Sequence, residues 1–230
     1  MIMKTLTSIM AAVCLITPVL AQSADEAREV RRAANTISRL NRIPEAGIPP
    51  AILRNARGLA IVRVYKAGFG ISGRVGKGVV LARTARGWSG PAFISTAGAG
   101  IGPQVGIQAT DFVLVLNTQG AVDAFARGAN VTLGGDVSVA VGPVGRAVEI
   151  GVTPIAAVYS YSQSRGLFVG ASLEGSVITG RPRANADFYG RNVAATQILR
   201  GNAPLPRAAA PLLTALQGPR RMAGERVAQR

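Results

Sequence analysis

GLAIVRVYKAGFGISGRVGKGVVLAR, residues 58–83, is the stretch from which the fold class follows. Its first part, 58–65, is rich in apolar and β-branched residues and predicts a strand. Its second part, 66–83, is interrupted by glycines, which in strands mark bends, bulges or a close approach of the backbone. The stretch therefore predicts a bent, glycine-rich sheet.

Two phosphate-binding motifs must be considered in the same stretch. Gly68, Gly70 and Gly73 have the G-x-G-x-x-G spacing of a dinucleotide-binding loop. That loop requires a helix opening after the glycines and an acidic residue about 20 residues further on. Residues 74–83 have no helical period, and the next acidic residue is Asp111. A P-loop is excluded because the sequence continues with glycine after Gly-Lys at 76–77, where that motif requires Ser or Thr.

The remaining chain alternates between strand-like and helix-like segments. The segment 111–117, DFVLVLN, is apolar on both faces and suits a central strand. We expect the strand at 167–179 to end at Gly180 and Pro182 in an arginine-bearing turn, and Pro211 to interrupt the last helix. The predicted strands are 111–117, 136–143, 147–153, 155–163 and 167–179, and the predicted helices are 118–128, 193–201 and 207–218.

A basic amphipathic helix is predicted at 25–43, and Pro44 ends it. Such a helix can lie on an anionic membrane with its apolar face in the interface. It can also dock on the domain with its arginines facing water, which is favoured because the apolar face lacks Trp and Phe and includes two alanines. The apolar side gathers Val30, Ala33, Ala34, Ile37 and Leu40, and the opposite side gathers Arg28, Arg31, Arg32, Arg39 and Arg42.

These elements together predict the α+β class. We expect a strand-rich, mostly antiparallel, bent and glycine-rich sheet or partial barrel. An N-terminal amphipathic helix and short C-terminal helices complete the predicted fold.

The composition argues against catalysis. The 230 residues include 26 Lys and Arg against 11 Asp and Glu, one cysteine and no histidine. The chain therefore lacks the commonest general base and the commonest metal ligand. We expect no enzymatic activity, no cofactor and no metal, because the acidic residues of the central region are also spread singly: Asp111, Asp123, Asp136, Glu149 and Glu174.

The first 21 residues have the pattern of a secretory signal. Lys4 precedes an uncharged apolar run from Leu6 to Leu20, and Ala21 suits a cleavage site. The alternatives are an uncleaved signal anchor and lipoprotein processing at Cys14. The predicted organisation is a signal peptide at 1–21, a lipid-binding domain at 22–218 and a flexible basic tail at 219–230. It implies a periplasmic or secreted location with peripheral membrane association.

The distribution of charge points to an anionic partner. No acidic residue lies between Glu45 and Asp111, and such one-sided charge attracts polyanions. The predicted function is peripheral binding of anionic lipid headgroups, of the phosphoinositide or acidic phospholipid type. The alternatives are a structural or protein-interaction module of the envelope and, less favoured because aromatic residues are only 5% of the chain, nucleic-acid binding. The candidate lipid-binding residues are Arg28, Arg31, Arg32, Arg39, Arg42, Arg63, Lys66, Arg74, Lys77, Arg83 and Arg86.

Four stretches resemble the SYLF-domain family: 87–118, 136–149, 159–179 and 184–191. The resemblance extends from about Ile43 to about Gln217. It implies a binding module without catalysis. Eukaryotic SYLF proteins bind phosphoinositides and other acidic lipids through basic residues and an N-terminal amphipathic helix. Some fungal members, which carry an SH3 domain, also bind and bundle actin.

Overall fold

The computed structural model describes residues 23–42, 48–128, 130–141, 156–165, 173 and 175–217. The predicted signal peptide, the basic tail, the strand at 147–153 and most of the strand at 167–179 lie outside these residues.

The described elements confirm the predicted α+β class. A long antiparallel hairpin forms the centre, and short helices flank it. The helices are α1 (23–40), α2 (Pro50–Asn55), α3 (Gln119–Ala126), α4 (Pro182–Tyr189), α5 (Ala195–Leu199) and α6 (Ala210–Gln217), with a 3-10 turn at Arg207–Ala209. The strands are β1 (Gly58–Thr84), β2 (Gly87–Trp88), β3 (Ala92–Leu116), β4 (Val131–Thr132), β5 (Val139–Val141), β6 (Val158–Arg165) and β7 (Val177–Gly180).

Strands β1 and β3 pair along almost their whole length, from Gly58 opposite Leu116 to Val80 opposite Ala92. The register shifts once, between Phe69 and Ile71. The sheet order is β2-β1-β3-β6-β5, and β7 pairs with both β3 and β4. Only the β5–β6 pair is parallel among the described pairs, so the sheet is mostly antiparallel as predicted, and it curls into a half-barrel.

The two halves of β1 fold back onto each other, and this contact explains two of its glycines. A Cβ atom at Gly78 would lie 2.1 Å from the carbonyl oxygen of Ile61, and one at Gly76 would lie 2.6 Å from that of Arg63. No side chain fits at such distances, so glycine geometry is the reason for the repeated glycines here. The dinucleotide-binding loop is excluded, since β1 continues through these glycines without opening a helix.

The sheet buries side chains on both faces, as expected for the segment 111–117. One face carries Val62, Phe112 and Leu114, and Phe125 of α3 and Ile198 of α5 pack against it. The other face of the same strands, which we call the α1 face, carries Leu59, Ile61, Val79, Leu81, Phe93, Val113 and Val115. Helix α1 covers part of the α1 face.

Helix α1 is the predicted amphipathic helix, and it docks on the domain. Its apolar residues Val30, Ile37 and Leu40 are at most 2% exposed, so they belong to the core. The interpretation of a docked helix is therefore confirmed. No helix in the described ranges has the length and apolar character needed to cross a membrane.

Two predictions about prolines were wrong. Pro182 does not open a turn: it begins α4, where its missing N–H costs nothing because the first helical N–H groups have no intrahelical partner. Pro211 does not interrupt the last helix, because it is the second residue of α6. The strand predicted at 136–143 is shorter in the described residues, where β5 spans Val139–Val141.

Candidate functional site

Arg39 and Arg63, two of the predicted binding residues, are bound to one buried carboxylate. The two oxygens of Asp111 accept hydrogen bonds from Nε and Nη2 of Arg63, both at 2.6 Å. Arg39 Nη2 donates to Oδ2 of the same carboxylate at 2.7 Å. The hydrogen bonds to Asp111 raise the pKa of Arg63 above its ordinary value. The single carboxylate offsets one of the two guanidinium charges, and the three side chains join α1, β1 and β3.

A second ion-pair group fixes the other end of α1. Arg181, which precedes α4, donates from Nη1 to Glu29 Oε2 at 2.9 Å and from Nη2 to Glu26 Oε1 at 3.4 Å. Burial raises the pKa of both glutamates, and the Arg181 charge opposes that rise. Helix α1 is thus held to the sheet by ion pairs at both ends as well as by its apolar face.

The outer face of α1 and the turn that follows it present four of the predicted arginines to solvent. Arg31, Arg32 and Arg42 are exposed and have no ion pair among the described residues. Arg28 is exposed and forms an ion pair with Asp25, one turn earlier. Because the apolar face of α1 is in the core, the helix offers a partner guanidinium groups and no apolar surface.

A second exposed group of cations lies at the turn between β1 and β3. We call it the turn cluster; it consists of Arg54, Arg57, Arg83 and Arg86, all exposed. The backbone N–H of Arg83 donates to the carbonyl of Arg57 at 2.7 Å, and its Nη2 donates to the carbonyl of Leu53 at 3.2 Å. These contacts bring the end of α2 beside the turn.

Backbone carbonyls and an aromatic ring hold the turn cluster in place. Arg86 Nη2 donates to the carbonyl of Gly201 at 3.1 Å, and the Arg83 guanidinium lies 4.1 Å from the centre of the Trp88 ring. Burial lowers the pKa of Arg83, although a guanidinium remains charged at any physiological pH. Neither a carbonyl nor a ring carries a formal negative charge, and no ion pair of these two cations is found within the described ranges, so they are oriented there without a neutralising carboxylate.

The other three predicted residues lie near the bend of the hairpin. Arg74 Nη2 donates to the carbonyl of Ala99 at 3.2 Å, and Lys77 is exposed on the α1 face close enough for its charge to act on Glu29. Lys66 is half-buried. The eleven predicted residues therefore divide among an internal ion pair, the α1 outer face, the bend and the turn cluster.

Arg54 and Arg57 were not among the predicted site residues. Both lie in the acid-free window that drew attention to the region. Their position beside Arg83 and Arg86 depends on the chain before β1 meeting the end of β1, a contact that no local pattern reveals.

Two cavities lie beside α3 and suggest no chemistry. A cavity of about 690 Å³ is lined mostly by small neutral residues, with Arg127 and Asp136 among its lining. A smaller one of about 230 Å³ lies between α3 and α5. Within the described ranges, no three acidic, His or Cys side chains are grouped so that they could hold a metal ion.

Comparison with known proteins identifies the family. Residues 97–218 match the model of the family described as "Ysc84: Las17-binding protein actin regulator". The chain is 50% identical over 175 residues to LAS seventeen-binding protein 3 of Saccharomyces cerevisiae, which covers 74% of this chain and 38% of the yeast protein. It is 49% identical over 175 residues to Protein YSC84 of the same yeast, covering 74% of this chain and 37% of that protein. It is 44% identical over 186 residues to the human SH3 domain-containing YSC84-like protein 1, covering 77% of this chain and 54% of the human protein.

These relatives correct the predicted location, and the match covers only part of their length. The predicted periplasmic or secreted location is wrong, because the matched relatives are yeast and mammalian proteins and the family is described as an actin regulator. The match covers between 37% and 54% of these three relatives. At this identity and coverage, the chain belongs to the SYLF-domain family, the family that the matched model describes under the name Ysc84.

Proposed function

We propose that this chain is a non-enzymatic protein-binding module of the actin-regulatory kind, which uses the turn cluster to bind an acidic partner. The family description and the names of the yeast relatives refer to binding and regulation. They favour the protein-interaction alternative over lipid binding as the main function. The location of that module in an envelope is not part of the proposal.

The observation that carries the proposal is the contrast between two kinds of arginine. Arg39 and Arg63 share the carboxylate of Asp111, and Arg181 faces those of Glu26 and Glu29, all at 3.4 Å or less, so these arginines are held in ion pairs inside the domain. Arg83 and Arg86 are oriented by carbonyls instead. Cations that are positioned but not neutralised steer an acidic surface into contact and select for it.

The actin filament is the first partner to test, because the family is described as an actin regulator. Co-sedimentation of the purified chain with filaments measures the affinity directly. We expect Arg83→Glu/Arg86→Glu to weaken it by about tenfold or more, since each reversal replaces an attraction with a repulsion. We also expect the wild-type affinity to fall as salt is added.

A matched control separates the turn cluster from net charge. Arg127→Glu/Arg191→Glu changes two exposed arginines elsewhere and gives the same net charge. It should pellet with filaments nearly as well as the wild type. Equal loss in both double variants would mean that only overall charge matters. A wild type that binds neither filaments nor a Las17 protein would refute the proposed function.

Anionic lipid binding is the second candidate, and the outer face of α1 favours it. Arg28, Arg31 and Arg32 are exposed on α1 and Arg42 is exposed in the turn after it, and each cation near an anionic surface contributes about 1 kcal/mol. Arg31→Glu/Arg32→Glu should therefore weaken binding to phosphatidylserine-containing vesicles by at least about tenfold. Equal binding of the wild type to neutral and anionic vesicles would contradict this candidate.

A further inference from the structure

Three large apolar side chains are exposed where the hairpin bends. Tyr65 is 47% exposed, Val75 is 63% exposed and Ile107 is 86% exposed. We call these three residues the bend surface. The fourth large apolar residue that is exposed in the described ranges, Leu205, lies far along the chain between α5 and the 3-10 turn.

The register places the bend surface on the α1 face. Tyr65 pairs with Ala109 and Ala67 pairs with Ile107, so Tyr65 and Ile107 project from neighbouring positions on the same face. The fold of β1 onto itself brings Val75 to the same place, because its neighbour Gly76 lies against Arg63 and Val64. The bend surface therefore continues the face that α1 covers closer to the core.

The bend surface lies in a basic part of the hairpin. Residues 65–107, within which the hairpin bends, belong to the acid-free window between Glu45 and Asp111. Lys77 is exposed on the α1 face two residues from Val75, whereas Lys66 and Arg74, the sequence neighbours of Tyr65 and Val75, alternate to the opposite face of the strand. Exposed apolar residues beside Lys77 and the outer arginines of α1 are complementary to an anionic bilayer, in which phosphates meet the cations and the acyl region receives the apolar groups.

The outer face of α1 lies on the same side of the sheet. Helix α1 rests on the α1 face through Val30 and Ile37, so its opposite face, with Arg31 and Arg32, points away from the sheet on that side. Its own apolar residues are buried and cannot enter a membrane while the helix is docked. The helix thus supplies charge, and the bend supplies the apolar groups.

We propose that the bend surface of Tyr65, Val75 and Ile107 inserts into an anionic lipid bilayer while the arginines of docked α1 contact the headgroups. This inference rests on the second candidate function and names the group that penetrates the membrane. Tyr65 suits the role because its ring is apolar and its hydroxyl can remain at the wet interface.

A tryptophan reporter tests insertion. In a Trp88→Phe background, Ile107→Trp places the single tryptophan of the chain on the bend surface. Vesicles of phosphatidylcholine and phosphatidylserine should shift its emission to the blue, and brominated acyl chains should quench it. Leu205→Trp in the same background is the matched control and should show neither change. An unshifted and unquenched signal at 107 would overturn the proposal.

Charged substitutions test how much the bend surface contributes to the affinity for vesicles. Val75→Glu/Ile107→Glu should reduce binding to the same vesicles by about tenfold or more, because burying apolar groups at the interface contributes to affinity. Leu205→Glu should bind like the wild type, and circular dichroism and thermal unfolding should verify that each variant is folded. If Val75→Glu/Ile107→Glu binds these vesicles as tightly as the wild type does, the proposal is overturned.

Filament binding separates this test from the proposed function. The bend variant should pellet with actin filaments as the wild type does, because the turn cluster is unchanged. Loss of filament binding with retained vesicle binding would assign the bend surface to a protein partner and overturn insertion. A wild type that binds filaments but no vesicle would overturn insertion and leave the proposed function intact.

Discussion

Arg63 and Asp111 are directly paired residues of neighbouring strands, and their side chains form a two-point ion pair across the hairpin. The cross-strand register makes them opposite partners, and both guanidinium–carboxylate hydrogen bonds measure 2.6 Å. Arg39 adds a third bond from α1. One buried carboxylate therefore connects the two longest strands with the helix that covers them.

Removal of that carboxylate's charge should destabilise the domain. Asp111→Asn removes the carboxylate charge that Arg39 and Arg63 share, and we expect the free energy of unfolding to fall by about 2–3 kcal/mol, reduced from the value for a fully buried pair because the arginines are partly exposed. Urea denaturation measures the change. Asp123→Asn, an exposed site on α3, is the control. If the free energy of unfolding falls no more in Asp111→Asn than in Asp123→Asn, the ion pair does not stabilise the fold.

Glycine at position 78 should be indispensable. Gly78→Ala would place its Cβ 2.1 Å from the carbonyl oxygen of Ile61, so we expect a loss of more than about 3 kcal/mol or a failure to fold. Gly73→Ala is a matched control on the same strand, because nothing lies within 4 Å of its Cβ position. Soluble yield and thermal unfolding compare the two variants. Similar behaviour would mean that the halves of β1 are not in contact.

The pKa of Glu26 predicts a pH-dependent difference in stability. Burial raises this pKa above the ordinary value of 4.5, so the folded state binds the proton more tightly than the unfolded state does. The associated stability is present below the unfolded pKa and is lost as the pH rises through the folded pKa. One carboxylate oxygen of Glu26 is also buried without a hydrogen bond.

Glu26→Gln should therefore become more stable relative to the wild type as the pH rises from 4.5 towards neutrality. The glutamine imitates the protonated acid at every pH, so its own stability lacks this dependence. Denaturation of both proteins at the two ends of that range provides the measurement. A difference that is constant with pH, or that shifts in favour of the wild type, would contradict the prediction.

Asn185 should be required for the attachment of α4 to the sheet. Its Oδ1 accepts the backbone N–H of Phe93 at 2.8 Å, and Asn185 is 1% exposed. Asn185→Ala leaves that N–H buried without a partner, which costs about 1–3 kcal/mol. Hydrogen exchange at Phe93 should quicken as well. Asn202→Ala, at an exposed site, should change neither quantity.

Periodicity in the sequence predicted the elements that depend on local pattern. The apolar stripe of 25–43 identified the buried residues of α1, and the apolar segment 111–117 identified the central strand. Both follow from spacing along one element, which the sequence displays directly. The proline at 182 was misinterpreted because the same residue breaks a strand and begins a helix, and only the chain beyond it decides between these outcomes.

The grouping of charges could not be predicted in the same way. Arg63 and Arg86 look equivalent in the acid-free window, yet the first faces Asp111 and the second faces the carbonyl of Gly201. Their partners are 48 and 115 residues away in the chain. Whether a cation is neutralised is thus a property of the folded hairpin and its register.

The pairing of Gly58 with Leu116 has a consequence for any shortened form of this protein. The region that matches the family model begins at residue 97, five residues after the start of β3. A fragment cut at that boundary would lack β1, the hydrogen-bonding partner of β3 along nearly its whole length, and would also lack α1, so the α1 face would be open to water. The smallest autonomous unit must therefore reach back past α1, well upstream of the region by which the family is recognised.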